Sequence, residues 1–256
     1  GASNSAYGLY SLLTNTTGAN NVAVGEQALY ANTTASYNTG VGYLALTANT
    51  TGTQNVAMGS GALDANTTGD FNVAVGNNAL GANTTADSNT AVGRDALLLN
   101  TTGSHQTASG FEALATVATT SFNTAYGSQA LKVAVADSCV AVGAQSLVAC
   151  TSGAGNTAVG RDSMGATTTG ANNVAVGKSA LYANTTGVSN SAVGYQSLLA
   201  NTTGAGNVAI GYLGLAANTT ADSGTAVGYN ALAANTTGAS NVAVGRGSLD
   251  SNTTGG

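Results

Sequence analysis

The chain has few charged side chains, and they are scattered along it. Charged residues make up 6% of its 256 residues, too few to keep a polypeptide disordered, while 43% are hydrophobic. Ten acidic residues stand against five basic ones, and the Lys and Arg residues form no cluster. The sequence therefore offers no stripe of basic side chains that could bind phosphate groups, which excludes nucleic acid as a direct partner. We expect a folded protein with a formal net charge of -5.

Long apolar segments are missing as well. No run approaches the ~20 residues that span a bilayer, and no charged segment followed by an apolar one opens the chain. The sequence therefore predicts no membrane insertion. Because it begins and ends in phase with its own repeat, we interpret it as a fragment of a longer array.

Residues with catalytic or metal-binding chemistry are scarce. His105 is the single histidine, and no Cys, Asp or Glu lies at ligand spacing around it. The neighbours Arg94 and Asp95, like Arg161 and Asp162, are expected to form solvated ion pairs. No phosphate-binding Gly-rich loop, carboxylate pair or nucleophile–base arrangement stands out. The sequence predicts no catalytic residues, no metal site, no cofactor and no enzymatic activity.

What the chain has in abundance is a repeat of 17 residues. A glycine recurs at this interval from Gly8 to Gly245, with one interval of 16 between Gly127 and Gly143. Fifteen repeats fill the chain, and we number the positions within each repeat from Gly1. A fixed period of this size indicates a solenoid in which each repeat packs mainly on its neighbours.

We predict a single array over residues 1–256, regular in residues 1–102 and 170–256. Residues 103–169 are irregular, because one repeat there is a residue short around Lys132–Val135 and others lose their asparagines. A shortened coil is expected to offset the stack locally.

The positions of the repeat divide into buried and exposed sets. Positions 5 to 7 read Val-Ala-Val or Thr-Ala-Val, a β-branched run typical of a strand, and position 8 is always the glycine of a corner. Position 12 is Leu in fourteen repeats, which predicts a second buried segment, and positions 9, 10 and 13 vary as exposed positions do. Positions 15 to 17 read Asn-Thr-Thr in eleven repeats, a polar turn.

This unit predicts an all-β fold, a parallel β-solenoid (β-roll) of fifteen 17-residue coils. It is too short for a pair of helices, and a leucine-rich repeat has at least ~20 residues and several leucines. Coils stacked in parallel would place the asparagines of positions 4 and 15 in amide ladders.

Position 6 is Ala in fourteen repeats and Gly40 in the other, although its neighbours are larger. If positions 5 and 7 face the coil interior, position 6 faces outward, where a closely packed second chain is the simplest explanation of its small size. We therefore predict a homo-oligomer about the long axis. Its face comprises Ala23, Ala57, Ala74, Ala91, Ala175, Ala192, Ala209, Ala226 and Ala243.

The pattern Asn-x-Ala-Val-Gly-x-x-Ala/Ser-Leu resembles the head repeats of trimeric autotransporter adhesins, and Asn207-Val208-Ala209-Ile210-Gly211 is the nearest match. It is also similar to repeat arrays of phage-type tail fibres and bacterial surface fibres. The resemblance spans all fifteen repeats but rests on about five residues of each. It implies a left-handed β-roll joined as a trimer, a rigid adhesive or spacer fibre on a cell or virion surface.

These observations predict a non-catalytic extracellular fibre, shaft or head, that is adhesive or a spacer. The alternative is a structural filament whose copies stack end to end. Ice binding is a further alternative, disfavoured because adjacent threonines point in different directions. The expected partners are other copies of the chain and surface glycans or a host receptor.

Tyr195, Tyr212 and Tyr229 occupy position 9 of three consecutive repeats, between Lys178 and Arg246. Such a row of rings could bind a glycan or a partner surface, or could be a ladder that only shields the backbone.

The Asn-Thr-Thr turns are formally acceptors for N-glycosylation if the protein is secreted by a eukaryote, and structural turns otherwise. The asparagines are Asn15, Asn32, Asn49, Asn66, Asn83, Asn100, Asn184, Asn201, Asn218, Asn235 and Asn252.

Cys139 and Cys150, the two cysteines of the chain, take positions 4 and 15 of one repeat. Their joint replacement of the usual asparagines suggests that these positions face each other across the coil, although chance explains it equally well. If the side chains are close, an oxidising environment would join them in a disulfide.

Overall fold

The computed structural model describes residues 2–133 and 136–255 and is an all-β parallel β-solenoid. These residues contain no helix, and therefore none that is long and apolar enough to cross a membrane. The chain divides into two compact units, Gly1–Ser128 and Gln129–Gly256. The division falls within residues 103–169, the irregular part of the predicted array, and residues 134 and 135 of the predicted shortening lie outside the described residues.

Every coil has one strand of three residues, at positions 5 to 7 as predicted. The first compact unit contains β1 (Ser5–Tyr7), β2 (Val22–Val24), β3 (Thr39–Val41), β4 (Val56–Met58), β5 (Val73–Val75), β6 (Thr90–Val92), β7 (Thr107–Ser109) and β8 (Thr124–Tyr126). The second contains β9 (Val140–Val142), β10 (Thr157–Val159), β11 (Val174–Val176), β12 (Ser191–Val193), β13 (Val208–Ile210), β14 (Thr225–Val227) and β15 (Val242–Val244).

Within each compact unit, consecutive strands pair in parallel and in register. Ala175 of β11 lies beside Ala158 of β10 on one side and Ala192 of β12 on the other. Equivalent positions of successive coils are therefore direct neighbours, which confirms the predicted solenoid.

The coil interior holds position 6 of the strand and position 12 of the segment opposite. The position 12 side chains of repeats 2 to 14, such as Leu29 and Leu181, are fully buried. A Cβ added to Gly40 would lie 3.4 Å from Leu29 Cγ, so the space between strand and leucine admits no more than a methyl group. Burial of these side chains from water stabilises the coil.

The predicted orientation of the strand is therefore wrong. Ala23 and Ala175 are 0% exposed in a single chain, whereas Val22 and Val24 beside them are 38% and 37% exposed. Position 6 is small because the leucine fills the interior, not because another chain packs against it. The residues assigned to an oligomer face lie inside the coils: Ala23, Ala57, Ala74, Ala91, Ala175, Ala192, Ala209, Ala226 and Ala243.

The corner glycine of position 8 is required by both backbone conformation and space. Gly76 has a φ of 137°, and a Cβ there would lie 2.5 Å from the carbonyl oxygen of Gly93 in the next coil. No side chain fits at that distance.

The segment after the corner turns through left-handed residues, which the sequence did not predict. Leu29 has a φ of 52° and Gln27 a φ of 57°. Their N–H groups point in opposite directions along the stack, because Gln27 donates to Leu9 O of the preceding coil and Leu29 donates to Ala45 O of the following one. Each coil thereby bonds to both of its neighbours without a second strand.

Two ladders of buried asparagines confirm the expectation for positions 4 and 15. Asn66 Nδ2 donates to Asn49 Oδ1 of the preceding coil at 2.9 Å and to Gly69 O at 3.0 Å. At position 4, the backbone N–H of Asn72 donates to Asn55 Oδ1 at 2.9 Å. These bonds satisfy amides that would otherwise be costly to bury.

Candidate functional site

The outward side of the strands forms a surface, here called the strand face, made of positions 5 and 7. Across the fifteen described strands these positions hold only Val, Thr, Ser, Ile, Met and Tyr, with no charged side chain and no amide. The charged residues of the chain lie at other positions, such as Arg94, Asp95 and Lys178. In each compact unit the strand face is thus a regular double rank of uncharged, mostly β-branched side chains open to solvent.

Tyr195, Tyr212 and Tyr229 form a continuous ring stack. The ring centroids of Tyr195 and Tyr212 are 5.2 Å apart, and those of Tyr212 and Tyr229 are 5.0 Å apart, with interplanar angles of 10° and 6°. Lys178 Nζ lies 5.9 Å from the Tyr195 ring centroid, and Arg246 Cζ lies 5.5 Å from that of Tyr229. Because neighbours cover the ring faces, only the ring edges and hydroxyl groups remain open to a ligand.

Most of the turn asparagines are buried in this fold. The nine from Asn32 to Asn235 are buried, and the Nδ2 atom that would carry a sugar donates two hydrogen bonds in eight of them, as at Asn66, and one at Asn184. At the ends, Asn15 Nδ2 donates to Gly18 O and Asn252 Nδ2 to Gly255 O. In the nine buried turns the amide points into the coil and only the following threonines reach the surface. Glycosylation of the asparagines stays a prediction.

The cysteines are present as two buried thiols that the coil brings together. Cys139 Sγ donates to Gly153 O at 3.3 Å, and Cys150 Sγ donates to the same oxygen at 3.4 Å. The hydrogen bond from Cys150 lowers the pKa of Cys139 to about 7, although burial opposes this, and the same contact and burial raise the pKa of Cys150. The disulfide itself remains a prediction.

The residues considered for catalysis or metal binding are not assembled into a site. Among residues 2–133 and 136–255, no three His, Cys, Asp or Glu side chains are grouped to hold a metal ion. The ring of His105 stacks on Phe122, with centroids 5.3 Å apart. Arg94 and Arg161 pair with the adjacent carboxylates of Asp95 and Asp162 at 3.2 and 3.0 Å and are largely exposed.

No protein-family model, curated protein or solved structure matches this chain. What it does has to be argued from its own surfaces.

One surface feature was not predicted. Tyr10, Leu13, Gln27 and Tyr30 line an open cleft of about 300 Å³ between the first two coils. Tyr10 and Leu13 come from one repeat and Gln27 and Tyr30 from the next, at positions 10 and 13 in both. The repeat pattern shows only that these positions are exposed, so it gives no sign that they adjoin a cleft.

Proposed function

We propose that this chain is a segment of a non-catalytic extracellular fibre, shaft or head, on a cell or virion surface. In that role it acts as a spacer or carries adhesion, and its copies associate side by side as a trimer. The resemblance to adhesin head repeats supports the setting and the trimer. The interior supports a scaffold role, because its asparagine side chains hydrogen-bond one coil to the next.

The observation that carries the proposal is the uncharged strand face. None of its side chains is charged, and the branched Val side chains are more than one-third exposed at Val22, Val24, Val174 and Val176. The valines alternate with Thr and Ser at position 5, and an exposed face rich in apolar side chains is a candidate site of interaction. The same-face spacing of ~4.8 Å between coils recurs in every copy, so the ranks of one copy can interdigitate with those of another along their length.

Adhesion, in this proposal, belongs to surfaces outside the strand face. The hydroxyl groups of the half-exposed tyrosine stack would hydrogen-bond a glycan or a host receptor, and the ring edges would pack against it. Replacing Tyr195, Tyr212 and Tyr229 with Ser should abolish binding to a glycan array and leave the circular dichroism spectrum unchanged. Binding that survives all three replacements would assign the stack to structure alone.

Association can be measured by light scattering on two charge variants. Val176→Lys with Val193→Lys puts two charges on the strand face, whereas Gln145→Lys with Gln196→Lys adds the same charge at position 10. We expect the native chain and the position 10 variant to have a multiple of the 24.5 kDa chain mass. The strand-face variant should fall to the mass of one chain, because lysines in an apolar interface cannot be solvated.

A native chain that scatters as a monomer at high concentration would contradict the proposal. Equal masses for both charge variants would mean that copies meet elsewhere. Species of indefinite mass with filaments in electron micrographs would favour the end-to-end filament instead.

The strand face also favours a second candidate, ice binding. Thr39, Thr90, Thr107, Thr124, Thr157 and Thr225 occupy position 5 of the face, and alternate strand residues lie in one plane. Position 7 holds no threonine in these strands, so the face carries a single rank of threonines beside a rank of mostly valines. Thermal hysteresis in the native chain that is lost in Val176→Lys with Val193→Lys would establish it, and native protein without hysteresis would exclude it.

A further inference from the structure

The two asparagine positions of each coil meet at one carbonyl group. In the second repeat, Asn21 Nδ2 donates to Ala35 O at 2.9 Å, and Asn32 Nδ2 donates to the same oxygen at 3.0 Å. Asn55 and Asn66 share Gly69 O in the same way, at 2.8 and 3.0 Å. Positions 4 and 15 are thus held side by side throughout the regular coils.

Cys139 and Cys150 take both of these positions in the ninth repeat, residues 136–152. Their sulfur atoms share Gly153 O as the amides do, and the two thiols hydrogen-bond each other. Both side chains are 0% exposed. The backbone has already brought the two sulfur atoms into contact in the enclosed interior of the coil.

The replacement of asparagine by Cys150 interrupts the hydrogen-bonded ladder of position 15. Thr167 follows Cys150 at this position in the next coil, and its Oγ1 is buried without a hydrogen-bond partner. In regular coils the equivalent side chains are joined, for example Asn201 Nδ2 to Asn184 Oδ1 at 2.9 Å.

We propose that Cys139 and Cys150 form a disulfide inside this coil, a covalent link where the asparagine ladder is absent. The link would join the strand side of the coil to its turn side. It closes the ninth repeat on itself and involves neither the strand face nor the tyrosine stack. It therefore stands whether or not the chain is a fibre segment.

The oxidation needs a two-electron acceptor, which we take to be a small-molecule disulfide such as oxidised glutathione. The Cys139 thiolate attacks one of its sulfur atoms and releases the first small thiol, leaving a mixed disulfide on Cys139. Cys150 then loses its proton and attacks the Cys139 sulfur, which releases the second small thiol and forms the bond.

Burial determines when this exchange takes place. Neither sulfur is reachable in the closed coil, so the disulfide forms as the coil folds and is then sealed. The sealed bond should resist dithiothreitol in native buffer and be reduced after unfolding in guanidinium.

The test refolds the full-length chain with and without a mixture of reduced and oxidised glutathione. Samples are quenched in acid, alkylated under denaturing conditions and digested with trypsin. Cleavage at Lys132 and Arg161 releases both cysteines in one peptide, residues 133–161. We expect this peptide to be unalkylated and lighter by two hydrogens after oxidative refolding, and doubly alkylated without it. Two alkylated cysteines after oxidative refolding, or glutathione retained on one of them, would overturn the proposal.

Two variants distinguish the effect of losing the disulfide from the effect of disturbing the fold. Cys139→Ser should retain glutathione on Cys150 or keep a free thiol, and should unfold at the same urea concentration with and without oxidant. Cys139→Asn with Cys150→Asn restores the usual pair and should fold independently of oxidant. For the native sequence we expect oxidation to raise the urea midpoint by ~1 M, as a closed loop of this length stabilises through the unfolded state. An unchanged midpoint would contradict a stabilising link.

Discussion

At the residue scale, stacking of the coils affects buried side chains and partly exposed side chains differently. In the regular turns asparagine is kept inside because its Nδ2 reaches both a nearby backbone carbonyl and the side-chain amide of the preceding coil, as at Asn66. An ionisable group at the rim is affected differently, since partial burial removes water from it. Asp64 at position 13 is the example: burial raises the pKa of its carboxyl group, and hydrogen bonds from its own backbone and from Ala65 offset only part of this.

Asp64→Asn should stabilise the chain in a pH-dependent way. A folded-state pKa above the unfolded value of 3.8 means that folding favours the protonated acid. Stability from this group is present below the unfolded pKa and is lost as the pH rises through the folded pKa. In thermal unfolding, the Tm of Asp64→Asn should therefore be higher than that of the native chain at pH 7. Near pH 3 the two Tm values should be equal. An equal difference at both pH values would rule out this explanation.

The asparagine ladder gives the second residue-scale prediction. Asn66→Asp keeps the shape but replaces a donor with an acceptor facing Asn49 Oδ1 and Gly69 O, whereas Asn77→Asp adds the same charge at an exposed site. We expect Asn66→Asp to cost about 3 kcal/mol in urea unfolding and Asn77→Asp less than about 1 kcal/mol. Similar costs for the two would mean that the ladder contributes little.

At the element scale, the sequence predicts where the strands lie but not which side faces inward. A β-branched run at positions 5 to 7 is enough to place a strand, and the invariant glycine marks its end. Alternation is symmetric, however, and a pattern of large-small-large is equally consistent with either side facing the core. What decides is the leucine of position 12, which leaves room for a methyl group only. The contact between the alanine of position 6 and the leucine of position 12 cannot be recognised from the order of residues in the sequence.

Ala175→Leu tests this orientation. An added isobutyl group would enter the filled coil interior, so unfolding of a single chain should become easier by about 1–3 kcal/mol. Ala154→Leu, at exposed position 2, is the control and should be close to neutral. If Ala175→Leu changes the assembled mass but not the stability of the isolated chain, the alanine faces outward after all.

The left-handed backbone after each corner also escaped prediction, for a related reason. Leucine carries a penalty at positive φ, yet Leu29 and its equivalents adopt it because their N–H groups then reach the next coil. A cost local to each residue is offset by a hydrogen bond to another repeat. Propensities read from single residues cannot include that gain.

At the scale of the whole molecule, regular repetition makes the fold predictable and the function less so. Within each compact unit a coil contacts the next one, so the period, the strand positions and the asparagine ladders follow from one repeat. The division at Ser128 and Gln129 falls where the period shortens and the asparagines of position 15 are replaced. Association cannot be read from the repeat, because it depends on which side of the strands reaches solvent.

The central claim is that the uncharged strand face, and not the alanine row, joins copies of the chain. Electron cryomicroscopy of the purified native assembly tests it most directly. We predict that copies meet through positions 5 and 7, with Val176 and Val193 in the interface and Ala175 and Ala192 inside their own coils. An assembly whose copies meet through any other surface, or a protein found only as single chains, would contradict the account.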